Sequence, residues 1–271
     1  MRFGIFDHME RRAGTVGELY EERLTLLERA EALGFWGYHK AEHHFINLDA
    51  APSSNVFLAA ASQRTDRIRF GPLVYLLPFY HPLRLAEEIC ALDQLCGGRL
   101  EVGVGKGISP PEHRLWGIDP DHAKARFEEQ FATLLAALGH ESTVTGDSPP
   151  DINLTPYAGR IPGFWYAGNA RYAGERRLST VLSGPVEVLS ETARAYRDAL
   201  ASPIADQNPG EPSPVFAVKR HVYVARTDEE AFARVARAYP VYHENLARLW
   251  KQYDEPFPSR DPSFDGDMHC L

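Results

Sequence analysis

Cysteine is scarce in this chain, with three among 271 residues, at positions 90, 96 and 270. Cys90 and Cys96 stand six residues apart with no Cys/His set of metal-ligand spacing around them. Neither a disulfide framework nor a metal site is therefore expected. No apolar run approaches the roughly 20 residues that a membrane-spanning helix needs. Positive charge does not dominate: 29 Lys and Arg against 37 Asp and Glu leave a net charge of −8. That balance argues against nucleic acid or an anionic membrane as partner. The first residues carry no signal-peptide layout, so a cytoplasmic protein with reduced thiols is expected.

Several catalytic signatures are missing as well. The turn after the first strand-like segment reads Asp7-His8-Met9-Glu10-Arg11-Arg12 rather than G-x-G-x-x-G, which weakens a dinucleotide-binding reading. Ser183-Gly184-Pro185 lacks the G-x-S-x-G arrangement of a nucleophile elbow. The glycine run Gly103-Val104-Gly105-Lys106-Gly107 does not match a triphosphate-binding loop.

What is present is a globular composition, 44% hydrophobic and 24% charged, arranged as alternating strand-like and helix-like stretches. Strands are expected at residues 3–6, 35–39, 68–77, 100–104, 164–166, 180–182 and 216–225. Between them fall helical patterns. Thr15 with Glu18 forms a capping-box signature, and Gly34 ends the helix that follows. Ser53 or Ser54 is placed to cap a helix over residues 56–61. Pro82 suits a first helical turn, and Gly97-Gly98 breaks its helix. Further helices are expected over residues 123–138, 186–200 and 228–249. Residues 141–160 read as an irregular excursion, and residues 254–271 as a Pro- and Asp-rich tail without periodicity. Seven strands in a βαβα series imply one domain over residues 1–271 with a parallel sheet, closed as a (β/α)-barrel in preference to a doubly wound sheet.

In such a barrel the chemistry sits at the C-terminal strand ends. The second strand runs into Tyr38-His39-Lys40-Ala41-Glu42-His43-His44, three imidazoles beside a carboxylate. Imidazole exchanges protons near neutral pH, and a neighbouring Glu can fix its tautomer. A packed cluster without function and a metal site are the other readings, although no H-E-x-x-H spacing supports the metal. The third strand ends in an apolar, aromatic mouth from Leu73 and Val74 through Tyr75 to Phe79. A planar ring or an aliphatic chain could lie there; ordinary packing is the alternative. At the fourth, alternating glycines allow close backbone approach, and Lys106 offers a charge to a phosphate. At the fifth, Gly168 and Asn169 could present donors to an anion, or form a plain turn.

As an ordered set these segments resemble the bacterial-luciferase-like family of flavin-dependent monooxygenases. The likeness runs over residues 1 to about 250. Its pieces are Phe3-Gly4-Ile5-Phe6-Asp7-His8, Ala41-Glu42-His43-His44, Leu77-Pro78 with His81-Pro82-Leu83-Arg84-Leu85-Ala86-Glu87, and Leu92-Asp93-Gln94-Leu95 with Gly98-Arg99-Leu100. The set continues with Gly103-Val104-Gly105-Lys106-Gly107, Trp165-Tyr166-Ala167-Gly168-Asn169, Val181-Leu182-Ser183-Gly184-Pro185 and Arg220-His221-Val222-Tyr223-Val224-Ala225. The resemblance implies a (β/α)8 TIM-type barrel that binds reduced FMN, or a deazaflavin in a related branch. It implies monooxygenation of a small hydrophobic organic substrate with O2, and a separate flavin reductase as partner.

Carried over residue by residue, His43 matches the family's active-site histidine. His44, Lys106, Gly107, Ile108, Gly168 and Asn169 fall at cofactor-binding positions, with Lys106 where an arginine usually grips the phosphate. Leu73 and Val74 match a place where a non-proline cis peptide often lies under the flavin ring. Phe6, Tyr75 and Trp165 are expected to line the substrate pocket. The chain departs from the family in two places. The segment between Asn169 and Leu178 is about three residues short by comparison with the family pattern. The family also continues past this tail into an eighth strand and final helix. A barrel missing them is expected to be weakly stable, to retain flavin poorly and to associate through its open edge, as a homodimer for instance. A deazaflavin-dependent dehydrogenase and a flavin-binding barrel with little activity are the alternatives.

Overall fold

The computed structural model describes residues 1–139, 153–201 and 214–257. Most of the expected excursion, the Pro-rich stretch before Pro214 and nearly all of the tail, Cys270 included, lie outside the described residues.

The chain begins with β1 (Gly4–Asp7) and α1 (Val16–Ala32). The capping box forms in full: the Glu18 amide donates to Thr15 Oγ1 at 3.2 Å, and the Thr15 amide donates to Glu18 Oε2 at 2.8 Å. β2 (Gly37–Lys40) is buried along its length. α2 (Ser54–Ser62) follows Ser53, which occupies the cap position without making a side-chain capping bond. Next come β3 (Arg69–Pro72), β4 (Tyr75–Leu76) and α3 (Pro82–Cys96), the last starting on Pro82 and stopped by Gly97 in the left-handed conformation. β5 (Glu101–Gly105) precedes α4 (Pro110–Leu115) and α5 (Ala123–Ala137). The second half holds β6 (Gly163–Tyr166), α6 (Ala170–Glu175), β7 (Ser179–Leu182), α7 (Val186–Leu200), β8 (Phe216–Val218) and α8 (Asp228–Gln252).

All ladders are parallel, in the orders β1-β2-β3 and β4-β5-β6-β7-β8. A bridge from Phe70 to Leu100 joins the two runs. The fold is thus α/β, of the TIM-barrel type. Among the described residues no ladder joins β8 to β1.

Two expected strands change form. The single strand over residues 68–77 is split into β3 and β4 by a cis peptide bond between Leu73 and Val74. The last strand spans three residues rather than ten. α4 and α6 were not foreseen, because six residues make fewer than two turns and leave no apolar periodicity to read.

The main core packs the helices onto the strands. A second cluster of Ile46, Leu48, Leu249 and Trp250 fastens α8 to the loop after β2. Tyr242 of α8 packs on His8 at 5.5 Å, so the helix lies at the strand-tip end of the barrel. No described helix is long and apolar enough to cross a membrane.

Candidate active site

Strand register brings the tips into one rim. Asp7 pairs with Lys40, so His8 and Ala41 come next, and the Ala41 amide donates to the Asp7 carbonyl at 2.8 Å. Val104 pairs with Tyr166, which sets Lys106 and Gly168 at the same level, each two residues further on. Lys219 extends β8, its amide donating to the Leu182 carbonyl at 2.8 Å.

His43 hangs from the loop after β2, and that loop is pinned from below. Lys40 and Asp49 form a fully buried ion pair at 2.7 Å, and Asp49 Oδ2 also accepts the His43 amide at 3.1 Å. The His43 ring stacks on His8 at 5.9 Å and lies 3.9 Å, Nδ1 to Oε1, from Glu112. Burial, with a smaller push from Lys40, holds its pKa down to about 3, so the ring is neutral. Burial likewise holds His8 down to about 2 and raises Glu112 to about 7. The carboxylate that addresses His43 is therefore Glu112. Glu42, its sequence neighbour, turns to His44 Nε2 at 3.2 Å and accepts the Tyr80 hydroxyl at 2.7 Å.

The room beside the glycines of β5 has a structural occupant. A Cβ on Gly103 would lie 2.4 Å from the Pro72 carbonyl oxygen, and one on Gly105 would lie 2.6 Å from Val74 Cγ2. Leu73 and Val74 thus fill the room that the glycines leave, with Leu73 buried and Val74 half-buried at the mouth. Beyond them the Lys106 ammonium is exposed and, among the described residues, bonds only the Gly107 carbonyl, at 3.2 Å. Gly107 takes a positive φ of 81°, and Ile108 is exposed. His113 braces this turn: its ring nitrogens lie 2.8 Å from the carbonyl oxygens of Lys106 and Ser109. Gly168 and Asn169 line an open cleft of about 480 Å³ with Arg171, Leu182 and Ser183. Asn169 caps α6, its side-chain oxygen accepting the Tyr172 amide at 3.0 Å.

Phe6 joins the rim, packing on His8 at 4.9 Å. Tyr75 and Trp165 do not, which corrects their expected place in a substrate pocket. Tyr75 is fully buried and donates its hydroxyl to Asn55 of α2, so it serves the helix layer. Trp165 turns into the barrel, donating its indole N–H to Glu101 at the start of β5 and packing on His39 at 5.2 Å. The alternation of strand faces decides both, and the aromatic character of the two residues concealed it. His39, the third imidazole of the cluster, is likewise interior.

Sequence reasoning missed His8, Glu112, Lys219 and Tyr242. Ser109 and Glu112 have capping-box spacing, and the Glu112 amide does donate to Ser109 Oγ at 3.3 Å. Its carboxylate goes elsewhere, accepting the His44 amide at 2.6 Å.

A family model described as luciferase-like monooxygenase matches residues 1–263. The chain belongs to that family. It is 36% identical to an uncharacterized protein of Sinorhizobium fredii over 98% of this chain and 80% of that one. It is 32% identical to the oxygenase component of a flavin-dependent trigonelline monooxygenase from Acinetobacter baylyi, over 49% of this chain and 38% of that one. The crystal structure of the monooxygenase RslO1 from Streptomyces bottropensis superposes with a TM-score of 0.81 at 28% identity, covering 94% of this chain and 81% of that one. This luciferase-like chain carries the family's barrel with an imidazole, an apolar ledge and a cation on one rim.

Proposed function

We propose that this luciferase-like protein uses reduced FMN and O2 to place one oxygen atom on a small hydrophobic organic substrate. The observation that carries the reading is the convergence of neutral His43, the Leu73–Val74 ledge and exposed Lys106 at the same strand tips. When bound, the reduced flavin supplies the two electrons with which O2 becomes one substrate oxygen and one water.

The chain's own groups then divide the work. Leu73 and Val74 give the ring an apolar face. Lys106, with the Gly107 and Ile108 backbone, and the Gly168–Asn169 turn at the neighbouring strand tip, hold the phosphate end; lysine supplies charge without arginine's paired fork. His44 carries an aromatic edge with Phe79 and Trp116 beside that turn, at 5.8 and 5.2 Å. His43, kept neutral, can take a proton at Nδ1, where Glu112 stands ready to give or receive one. Phe6 faces the substrate, and α8 keeps water from the His8 side. A separate reductase in the cytoplasm supplies the reduced flavin, as the component name of the trigonelline relative suggests.

Anaerobic titration with reduced FMN, followed by oxygen uptake in the presence of hydrophobic substrates, tests this. One-to-one binding with substrate-dependent oxygen uptake is expected. Hydride transfer to a deazaflavin without oxygen uptake, or flavin binding without turnover, would overturn it.

A further inference from the structure

Lys219 stands at the tip of β8, and among the described residues it has no counter-ion. Its ammonium reaches across to β1 and rests over the Phe6 ring at 4.8 Å. The groups around it carry no negative charge. His8 lies edge-on to Phe6 at 4.9 Å, His43 stacks on His8 at 5.9 Å, Tyr242 packs on His8 at 5.5 Å, and His221 lies against Tyr242 at 5.0 Å. The nearby acids are engaged elsewhere: Asp7 with Arg23 at 2.7 Å, Asp49 with Lys40 at 2.7 Å, and Glu10 with Asn245. Among the described residues no ion pair or side-chain hydrogen bond to Lys219 is formed. An ammonium partly removed from bulk water and offered, among the described residues, an aromatic face is poorly compensated. Burial accordingly lowers its pKa.

We propose that Lys219 anchors an anionic oxygen of the molecule that enters the mouth. The inference rests on the reading of this rim as the active site. It narrows the ligand from a purely hydrophobic molecule to one with an apolar body and an anionic head. The same oxygen chemistry is found in a substrate carboxylate or enolate and at the anionic edge of a reduced flavin, and the experiment separates these sources.

Calorimetric titration of the whole chain with octanoate and with its uncharged counterpart octanamide, without flavin, provides the first arm. In the second arm, reduced FMN is titrated anaerobically. Both are run on the unaltered protein, Lys219→Met and Lys219→Arg. Octanoate is expected to bind about tenfold or more tighter than octanamide. Lys219→Met should abolish that preference at unchanged octanamide affinity, which also reports that the mouth is still folded, and Lys219→Arg should keep it. Should only the affinity for reduced FMN fall in Lys219→Met, the anion is the flavin's, and the anchor role stands. If Lys219→Met binds octanoate and reduced FMN as the unaltered protein does, the proposal is overturned. A charge preference lost in Lys219→Met from a protein that binds no flavin would uphold the anchor while sinking the flavin reading.

Discussion

His43 Nδ1 and Glu112 Oε1 face each other at 3.9 Å across the rim, and burial has inverted their usual order of acidity. In water an imidazole holds its proton about two pH units more firmly than a carboxyl group does. Here Glu112 is raised to about 7 while His43 is lowered to about 3. Near neutral pH the proton is therefore shared between solvent and the Glu112 carboxyl group, while the imidazole is unprotonated. A pair poised in this way can deliver or remove a proton without building up an imidazolium in the ground state.

The first prediction concerns Glu112. Its folded pKa lies above the unfolded value, so the native state binds the extra proton between about pH 4.5 and 7. The stability linked to that proton is fully present below pH 4.5 and lost as pH rises through 7. Carboxyl-carbon NMR should show one glutamate titrating near pH 7, absent in Glu112→Gln. Urea unfolding should show the unaltered protein gaining on the variant when pH drops from 7.5 to 5. An ordinary glutamate titration at this carbon would refute the assignment.

His8 and His43 act in the opposite sense. Their folded values, about 2 and about 3, lie below the ordinary imidazole value of about 6.5. Stability is present above pH 6.5 and is lost as pH falls through the window from 6.5 toward 3, because unfolding lets each ring take a proton. Each contributes a slope of up to about 1.4 kcal/mol per pH unit. His39, held at about 4, adds a third. Together they outweigh the single Glu112 proton, so the urea midpoint should fall steadily below pH 6.5. In His43→Gln the fall should be shallower by about one proton. An unchanged slope would mean that His43 is already charged in the folded state.

The fold was legible because its signals are long. Apolar periodicity and two glycine stops fix α1 and α3, and β5 reads as a buried run. The rim was legible in part. His43, Val74 and Lys106 lie where strand ends and motif spacing place them. The partners are another matter. His8 meets His43, and Lys219 reaches Phe6, only because β1, β2 and β8 curve toward one mouth, a long-range fact that no local pattern carries. The roles of Tyr75 and Trp165 were misread for a related reason: facing in or out depends on the exact residue at which a strand begins, and β3–β4 changes direction at Leu73–Val74. The glycines show the same limit. An open space for a ligand and an open space for a neighbouring strand leave an identical mark in sequence.

That last point can be measured. A methyl group at position 103 would meet the Pro72 carbonyl at 2.4 Å, whereas one at 105 would meet the end of the Val74 side chain at 2.6 Å. A side chain can rotate and a strand carbonyl cannot. Gly105→Ala should therefore cost about 1 kcal/mol, and Gly103→Ala about 3 kcal/mol or more, toward the upper end of overpacking penalties. Urea unfolding of both variants decides it; equal losses would show that Val74 is held as rigidly as the backbone.

The final prediction tests what holds α8 over the mouth. Trp250 is 2% exposed and packs against Ile46, Leu48 and Leu249, with Phe257 edge-on at 5.1 Å. The N-terminal half of the helix is largely exposed, so this cluster supplies most of its apolar anchorage. Truncating a buried tryptophan typically costs about 3–5 kcal/mol. That loss should fall on α8 and the loop after β2 rather than on the barrel, since Trp250 lies outside the main core. In Trp250→Ala, hydrogen exchange should therefore quicken across the C-terminal half of α8 while the amides of β1, β2 and β5 keep their protection. Tyr242 would leave His8 with the helix, admitting water to the imidazoles and returning His8 toward its ordinary pKa. Uniform loss of protection across the strands would instead make α8 an integral part of the barrel's cooperative unit.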